Sequence, residues 1–275
     1  MRTAVVGHVE WVEFVRVARV PVAGEIVHAR ETWAQPAGGG SVAAMQLAAL
    51  AGEPLFVTAF GPDELGRRAR EELERQGIRV EPATRESATR RAFTYVDDGG
   101  ERTITLLGPK LHPHGGDDLP WDEFPTIDAV YFCAGDAAAL SKARRARVLV
   151  ATARELPTLV QAGVQLDALV RSGTDAGERY PGGLEPRPRL VVATAGTAGG
   201  SFELADGRSG RYEAATLPGP LVDAYGAGDC FAAGLAFALG SRYGLDEALA
   251  FAARCAAGAL TGRGAYVTAP ATPET

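Results

Sequence analysis

The chain has 275 residues, of which 46% are hydrophobic and 23% are charged, and its formal net charge at pH 7 is −6. This balance is typical of a globular protein and excludes a disordered or fibrous chain. No apolar stretch reaches the roughly 20 residues of a membrane span, the opening residues do not form a signal peptide, and the acidic balance argues against a nucleic-acid partner. We therefore expect a cytoplasmic protein that acts on a small molecule, without a membrane or nucleic-acid partner.

The first part of the chain predicts strands of two kinds. Residues 3–7 form a short apolar strand, whereas residues 9–35 alternate apolar and charged residues and are rich in β-branched side chains. Such alternation is typical of strands with one solvent-exposed face. The same pattern returns at 92–107, where Asp97-Asp98-Gly99-Gly100 separates two alternating runs and predicts a β-hairpin. We expect 9–35 and 92–107 to form a small antiparallel sheet outside the main core.

Elsewhere, short apolar strands alternate with helical patterns. In chain order the predicted elements are helix 41–51, strand 54–59, helix 63–76, strand 128–133, helix 137–146, strand 147–151, helix 154–162, strands 166–170 and 189–194, and helices 228–240 and 245–261. This alternation predicts an α/β fold with a mainly parallel central sheet flanked by helices on both faces. Residues 108–125 and 173–187 are predicted as surface connections, and no linker divides the chain into independent domains.

The sharpest chemical feature is a turn of small residues, Gly226-Ala227-Gly228, that leads into an apolar helix whose first turn carries Asp229. Free backbone N–H groups and the positive end of the helix dipole form an anion site there, and the lack of side chains lets a phosphate approach. Asp229 beside that site suits a general base that takes a proton from a hydroxyl during phosphoryl transfer. On the local chemistry alone, the more ordinary interpretation is that Asp229 caps the helix.

The stretch 223–231, Asp-Ala-Tyr-Gly-Ala-Gly-Asp-Cys-Phe, resembles the C-terminal signature D-T-x-G-A-G-D-x-F of the ribokinase-like (PfkB-type) carbohydrate kinases, with Ala224 in place of the usual Thr. The resemblance implies that Asp229 is the catalytic base and that Gly226, Ala227 and Gly228 form the anion hole. The resemblance favours a role for Asp229 as the catalytic base over a role as the helix cap.

The resemblance extends over nearly the whole chain. Residues 38–43, Gly-Gly-Gly-Ser-Val-Ala, resemble the N-terminal G-G-x-x-x-N signature, which implies that Gly39 and Gly40 contact the acceptor, although Ala43 stands at the Asn. Residues 192–199 resemble the T-x-G-x-x-G nucleotide turn. The residues expected to border ATP are Thr194, Gly196 and Gly199.

The family resemblance also implies the domain organisation. It predicts a single ribokinase-like domain over residues 1–275, with a small β lid contributed by about 9–35 and 92–107. Residues 99–103, Gly-Gly-Glu-Arg-Thr, resemble the lid hairpin of the family. Since lid strands in this family often pair between subunits, a homodimer through the lid is expected.

The substrate motif departs from the family pattern. In the G-x-x-N-x-D motif, Glu10 stands at the Asn, and Val12 stands at the Asp that normally binds sugar hydroxyls. Because a site that loses hydroxyl partners loses discrimination, a plain pentose or hexose bound in the usual way is not expected. Glu10 is the candidate substrate-binding replacement, with Glu13 or His8 as alternatives. The competing interpretation is that all three are solvated residues of an alternating strand.

The metal motif departs as well. The family motif N-x-x-E, which orders the metal and its waters near the phosphates, appears at 172–175 as Ser-Gly-Thr-Asp. Asp175 is the candidate ligand of a water-coordinated Mg²⁺, an ion that keeps several waters and needs few protein oxygens. A P-loop motif is absent from the sequence. Residues 38–43 also fit a dinucleotide fingerprint, but they do not follow a buried strand.

Two functions of different class follow from these residues. The first is an ATP- and Mg²⁺-dependent kinase acting on a hydroxyl of a sugar or sugar-like small molecule, with a nucleoside as an alternative acceptor. The second is a ligand-binding or regulatory protein of the same fold that has lost sugar phosphorylation, which the departures at 12, 43 and 172 motivate.

Overall fold

Thirteen strands and six α-helices are present in residues 1–266, the part of the chain that the computed structural model describes. The single domain predicted from the sequence covers residues 1–275, and its last nine residues, 267–275, lie outside the described residues. The strands are β1 (Thr3–Val6), β2 (Glu10–Arg16), β3 (Glu31–Ala37), β4 (Leu55–Phe60), β5 (Arg79–Thr84), β6 (Arg91–Val96), β7 (Arg102–Leu107), β8 (Ala129–Phe132), β9 (Val148–Thr152), β10 (Ala168–Ser172), β11 (Leu190–Thr194), β12 (Gly200–Leu204) and β13 (Ser209–Tyr212). The helices are α1 (Gly39–Ala51), α2 (Glu64–Arg75), α3 (Ala137–Ala143), α4 (Leu156–Ala162), α5 (Ala227–Gly240) and α6 (Leu245–Leu260).

A nine-stranded sheet forms the centre of the molecule, in the order β13-β12-β11-β10-β9-β8-β1-β4-β5. The seven strands from β11 to β5 are parallel, and β12 and β13 continue the sheet in antiparallel fashion. The chain runs from β1 outward to β4 and β5 on one side, and later from β8 outward to β9 on the other. In open α/β sheets the crevice at such a change of direction is the usual place for a ligand.

Helices cover both faces of this sheet. Successive side chains of β1 point to opposite faces, so Val5 packs in a core formed with α1, α5 and α6, while Ala4 and Val6 pack in a core formed with α3 and α4. Strands β1, β4, β8 and β9 are buried along their whole length. The predicted α/β fold with a mainly parallel central sheet and helices on both faces is confirmed.

A second sheet of four strands has the order β3-β2-β6-β7. Its inner face buries Val12 and Phe14, and Phe14 stacks on Trp33 with ring centroids 4.9 Å apart. The predicted hairpin is present as β6 and β7, but β2 pairs with β6 in parallel, so the sheet is mixed rather than antiparallel. The reason is that β2 and β6 are joined by a crossover through the central sheet, and only neighbours joined by a short turn need be antiparallel.

Three strands were missed by the sequence patterns, and one connection is more ordered than expected. Strand β5 lies at the edge of the sheet, where its Pro82 is tolerated, and β12 and β13 are half exposed, so none of them is a continuous apolar run. The surface connection predicted at 108–125 leads into a 3-10 helix that buries Trp121 and Phe124. No helix within residues 1–266 is both long and apolar enough to cross a membrane.

Candidate active site

The turn before α5 packs against α1 through a glycine. Gly226 has a left-handed φ of 75°, and a Cβ at this position would lie 2.7 Å from Cγ1 of Val42. A side chain is therefore excluded twice, by the backbone conformation and by the packing. The first hydrogen bond within the helix runs from Cys230 N to Gly226 O, so the N–H groups of residues 227–229 have no acceptor inside the helix. Ala227 and Gly228, two of the three predicted anion-hole residues, thus present free N–H groups at the helix start.

Asp229 lies in the first turn of α5 and points back over the end of the central sheet. Its Oδ1 accepts a hydrogen bond of 2.9 Å from the hydroxyl of Tyr131, which is buried in β8. The residue at the cap position is Gly226, and no side-chain capping bond forms at this helix start. Within residues 1–266 the carboxylate of Asp229 therefore serves no capping role.

The electrostatic surroundings make Asp229 a stronger base than an ordinary aspartate. Burial raises its pKa from 3.8 to about 6, and the negative charge of Glu178 adds to the increase. The Tyr131 hydrogen bond and the positive charges of Arg154 and Arg102 oppose the increase. A carboxyl with a pKa of about 6 is mostly ionised at neutral pH and accepts a proton more readily than an unperturbed one.

The start of α1 reaches the same place. A Cβ at Gly39 would lie 2.8 Å from Oδ1 of Asp229, and a Cβ at Gly40 would lie 2.6 Å from the backbone O of His8. The backbone N–H of Gly38 donates to the hydroxyl of Tyr225 at 2.9 Å. The three successive glycines allow the N-terminus of α1 to approach both Asp229 and His8, so the starts of α1 and α5 converge beside β1 and β8.

The loop before α5 is held by a buried carboxylate. Oδ1 of Asp223 accepts from Tyr225 N at 2.7 Å, and its Oδ2 accepts from Gly264 N at 3.0 Å. The backbone N–H of Ala224 donates to the O of Gly100 at 3.0 Å, which joins the tip of the β6–β7 hairpin to this loop. Asp223 was part of the sequence motif without a role, and the structure gives it one in shaping the loop.

The candidate nucleotide residues lie at the carboxyl end of β11. Thr194 ends the strand, and Gly196 and Gly199 adopt left-handed φ values of 55° and 72° in the turn to β12. Ala195 N donates to Gly199 O at 2.8 Å, and Gly173 N donates to Thr194 O at 2.7 Å. Since the parallel strands end at one edge of the sheet, this turn lies at the same edge as the start of α5.

The candidate metal ligand is part of an ion-pair network. Oδ2 of Asp175 lies 2.7 Å from Nη2 of Arg154, which also contacts Oε1 of Glu178 at 2.6 Å. The Arg154 hydrogen bond holds the pKa of Asp175 below its usual value. Glu178, which the sequence motif did not indicate, also accepts from Ser172 N at 2.6 Å. No group of three or more metal-ligating side chains exists among the described residues.

Glu10 is buried, not solvated as the alternating pattern also allowed. It is 5% exposed, and its Oε1 lies 3.2 Å from Nη1 of Arg90 and 3.7 Å from Nε2 of His8. Burial raises the pKa of Glu10, and burial together with nearby cations lowers the pKa of His8 to about 3. Glu13 is on the other face of β2, where it pairs with Arg91 at 2.5 Å, so it does not reach this cluster.

The structure therefore brings together the residues predicted at the two glycine signatures and at β2. Gly38 lies between Glu10 and His8, because a Cβ there would be 3.2 Å from atoms of both side chains, and Gly39 lies against Asp229. Sequence reasoning missed Tyr131 and Arg90. Neither is in a motif, and only the pairing of β1 with β8 and of β2 with β6 brings them to the site.

Comparison with known proteins identifies the class. The sequence model of the pfkB family of carbohydrate kinases matches this chain in two overlapping segments, residues 2–157 and 143–272. The chain therefore belongs to this family of phosphotransferases. A protein named ATP-dependent ribose-1-phosphate kinase from Halopiger xanaduensis is 29% identical, covering 98% of this chain and 95% of the relative.

Solved structures share the fold. A ribokinase from Giardia lamblia superposes with a TM-score of 0.80 at 18% identity, covering 98% of this chain and 96% of the other. A ribokinase from Arabidopsis thaliana complexed with ribose and ATP has a TM-score of 0.74 at 19% identity, with coverage of 98% and 95%. An adenosine kinase from Sinorhizobium meliloti has a TM-score of 0.76 at 17% identity, with coverage of 98% and 96%.

Proposed function

We propose that the protein is an ATP-dependent kinase that transfers the γ-phosphoryl group of ATP to a hydroxyl of a sugar or sugar-like small molecule. Asp229 is the general base, and the backbone N–H groups of residues 226–228 form the anion hole. The observation that carries the proposal is the place of Asp229, where the starts of two helices converge and burial raises its pKa to about 6.

The reaction proceeds by in-line displacement. The acceptor hydroxyl oxygen forms a bond to the γ-phosphorus, the bond from that phosphorus to the β–γ bridging oxygen breaks, and ADP leaves. The hydroxyl proton passes to Asp229. The charge on the transferring group meets the free N–H groups at the start of α5, which are fixed before the reaction and so need no reorganisation.

The nucleotide enters from the β11 side of the site. Thr194, Gly196 and Gly199 border ATP in this proposal. The use of ATP is supported by a relative named as an ATP-dependent kinase and by a ribokinase solved with bound ATP. Mg²⁺, when bound with the nucleotide, would neutralise phosphate charge. Asp175 and Glu178 would hold its water shell, and the charge of Glu178 acts on Asp229. Arg154 engages both carboxylates in this structure.

The acceptor lies between Glu10 and Asp229. Gly39 and Gly40 border it in this proposal, because they carry no side chain where the start of α1 approaches Asp229 and His8 closely. Glu10 accepts a hydrogen bond from an acceptor hydroxyl in place of the family carboxylate, since Val12 is fully buried in the core of the small sheet. The relatives are named for ribose 1-phosphate, ribose and adenosine, so their names leave the type of acceptor open.

A second candidate is a ligand-binding protein of the same fold that has lost phosphoryl transfer. The observation that favours it is the engagement of Asp175 and Glu178 by Arg154, which occupies the carboxylates expected near the metal. Binding of a sugar without any phosphoryl transfer from ATP would support this second function over the first.

The test is the Asp229→Asn variant in an assay of ADP release with ATP, Mg²⁺ and a panel of sugars, sugar phosphates and nucleosides. General-base catalysis contributes about 10²–10⁴-fold, so we expect turnover to fall by about 10³-fold while ATP binding is retained. The matched control is Asp246→Asn, because Asp246 is an exposed aspartate in the first turn of α6. Near-normal turnover of Asp229→Asn would show that the base is misassigned.

A further inference from the structure

Tyr225 is a buried residue of the loop before α5 that also reaches the start of α1. It stands directly before Gly226, at a position that the signature D-T-x-G-A-G-D-x-F leaves open, and it is 6% exposed. Its hydroxyl accepts a hydrogen bond of 2.9 Å from the backbone N–H of Gly38, which lies 187 residues earlier in the chain. Tyr225 therefore leads into one helix start and is hydrogen-bonded to the other.

The backbone N–H of Gly38 needs this acceptor. Gly38 is buried and is the cap residue of α1, with a left-handed φ of 85°. A buried backbone N–H without an acceptor is unfavourable. Burial and the negative charge of Glu10 raise the pKa of Tyr225, so its hydroxyl stays neutral and accepts the bond while it keeps its own proton. A phenylalanine of the same shape would leave the N–H of Gly38 without this acceptor.

The ring of Tyr225 is held by the small sheet. Phe14 of β2 meets it edge-on, with ring centroids 5.1 Å apart and an angle of 78° between the planes. Phe14 also stacks on Trp33 of β3, and the Cζ atom of Arg263 lies 4.1 Å from the centroid of the Trp33 ring. Arg263 in turn pairs with Glu31 at 2.7 Å. Aromatic and cation–π contacts favour defined geometries, so this row of side chains fixes the place of the hydroxyl.

The hydrogen bond to Tyr225 lies one residue from each of two close contacts between α1 and α5. A Cβ at Gly39 would lie 2.8 Å from Oδ1 of Asp229, and a Cβ at Gly226 would lie 2.7 Å from Cγ1 of Val42. A shift of one helix start relative to the other would therefore displace the carboxylate or remove the backbone against which it lies. A displacement near 1 Å in a reacting geometry lowers the rate by about 100-fold.

We propose that Tyr225 is a positioning residue, whose hydroxyl fastens the start of α1 to the start of α5 and so keeps Asp229 aligned with the acceptor hydroxyl. This inference rests on the proposed function and adds a residue to it. Trp33 and Phe14 act on the reaction through the ring of Tyr225.

Hydrogen exchange at Gly38 tests the bond without any need for activity. The exchange of its backbone N–H is followed by NMR of ¹⁵N-glycine-labelled protein in D₂O, for the wild type and for Tyr225→Phe. We expect this amide to exchange about tenfold faster in the variant, because its acceptor is lost. Unchanged protection of Gly38 in Tyr225→Phe would overturn the proposal.

The matched control is Tyr95→Phe. Tyr95 meets Phe93 edge-on with ring centroids 5.0 Å apart and an angle of 78°, the same geometry as the contact made by Phe14. Tyr95 lies on the other face of the small sheet, because Phe14 is paired with Thr94, the residue before it. We expect Tyr95→Phe to change neither the exchange of that amide nor kcat.

Steady-state kinetics test the effect on the reaction. With the preferred acceptor, at a temperature well below unfolding, we expect kcat of Tyr225→Phe to fall by about 10- to 100-fold while KM for ATP is unchanged. A residue that only supports the fold would lower the melting temperature and leave kcat of the folded protein as it is. That second result would overturn the proposal.

A double-mutant cycle tests the connection to the small sheet. We expect Trp33→Leu to lower kcat less than Tyr225→Phe does, and to have no further effect in the Tyr225→Phe background, where no hydrogen bond is left to disturb. The full effect of Trp33→Leu in that background would show that the small sheet acts by another route, which overturns this part of the proposal.

The results separate this inference from the proposed function. If the wild type phosphorylates an acceptor, Asp229→Asn does not, and Tyr225→Phe matches the wild type, then the inference fails and the kinase stands. If the wild type phosphorylates no acceptor, the kinase fails, and the exchange of the Gly38 amide alone decides whether Tyr225 fastens the two helix starts.

Discussion

At the scale of single residues, the pKa of Asp229 is set by influences that act in opposite directions. Burial raises its pKa to about 6, whereas the hydroxyl of Tyr131 donates to its Oδ1 at 2.9 Å and stabilises the ionised form. The bond also fixes the direction of the carboxylate, because Tyr131 is 2% exposed and set in β8. Tyr131 is therefore a positioning residue that acts through the base.

The Tyr131→Phe variant tests this role. Removing the donor takes away an influence that lowers the pKa of Asp229, so the acidic limb of the pH profile of kcat/KM is expected to move to higher pH. The matched control is Tyr243→Phe, since Tyr243 packs edge-on against Phe251 on the α6 side of the core. A reduced kcat with an unmoved acidic limb would show that Tyr131 supports the fold without acting on the base.

Glycines in short sequence motifs predicted the part of the site in which the backbone itself must approach a neighbour. Gly226 and Gly39 are visible as glycines in short motifs because the backbone itself must approach a neighbour there. Arg90 and Tyr131 carry no such local signal. An arginine before a strand and a tyrosine within an apolar strand are ordinary in sequence, and their chemistry depends on partners far along the chain.

At the scale of elements, the site depends on how closely two helix starts approach each other. The first turn of α1 touches Asp229 in the first turn of α5, and the space between them is that of a missing side chain. Strands β1 and β8 are paired in parallel, with Val6 opposite Phe132, and so define the crevice under both helices. The glycines at 38–40 are therefore required by packing as much as by any ligand.

Gly39→Ala tests the approach of the helices. The added Cβ would lie 2.8 Å from Oδ1 of Asp229, so the carboxylate must move. We expect kcat to fall by about 100-fold, since a displacement of the base near 1 Å has an effect of this order, with a small change in melting temperature. The matched control is Gly244→Ala at the cap of α6, where a Cβ meets nothing within 4 Å. Unchanged kcat in Gly39→Ala would show that the carboxylate is not confined.

At the scale of the whole molecule, hydrogen bonds join the small sheet to the loop before α5. Ala224 N donates to Gly100 O at 3.0 Å at the tip of the β6–β7 hairpin, and Arg16 Nη2 donates to Val222 O at 3.2 Å from β2. The charge of Arg102, at the start of β7, acts on Asp229. The role of 9–35 and 92–107 as a lid, and a homodimer formed through it, remain predictions.

The alternation of strands and helices was enough to predict the interior strands of the central sheet, but not the strands at its two edges. Buried parallel strands such as β4 and β9 are continuous apolar runs, and these were found. Strand β5 at one edge and β13 at the other lack that pattern because they are only partly covered. The mixed pairing of the small sheet depends on a crossover between distant segments, which periodicity does not report.

The central claim is that Asp229 removes the acceptor proton, and the pH dependence of kcat/KM tests it most directly. With the preferred acceptor and saturating ATP and Mg²⁺, kcat/KM is expected to fall by about tenfold per pH unit below a single ionisation close to 6, the pKa that burial gives Asp229. The residual activity of Asp229→Asn should lack this ionisation. A wild-type profile that is flat from pH 5 to pH 8, or an ionisation that persists in Asp229→Asn, would contradict the account.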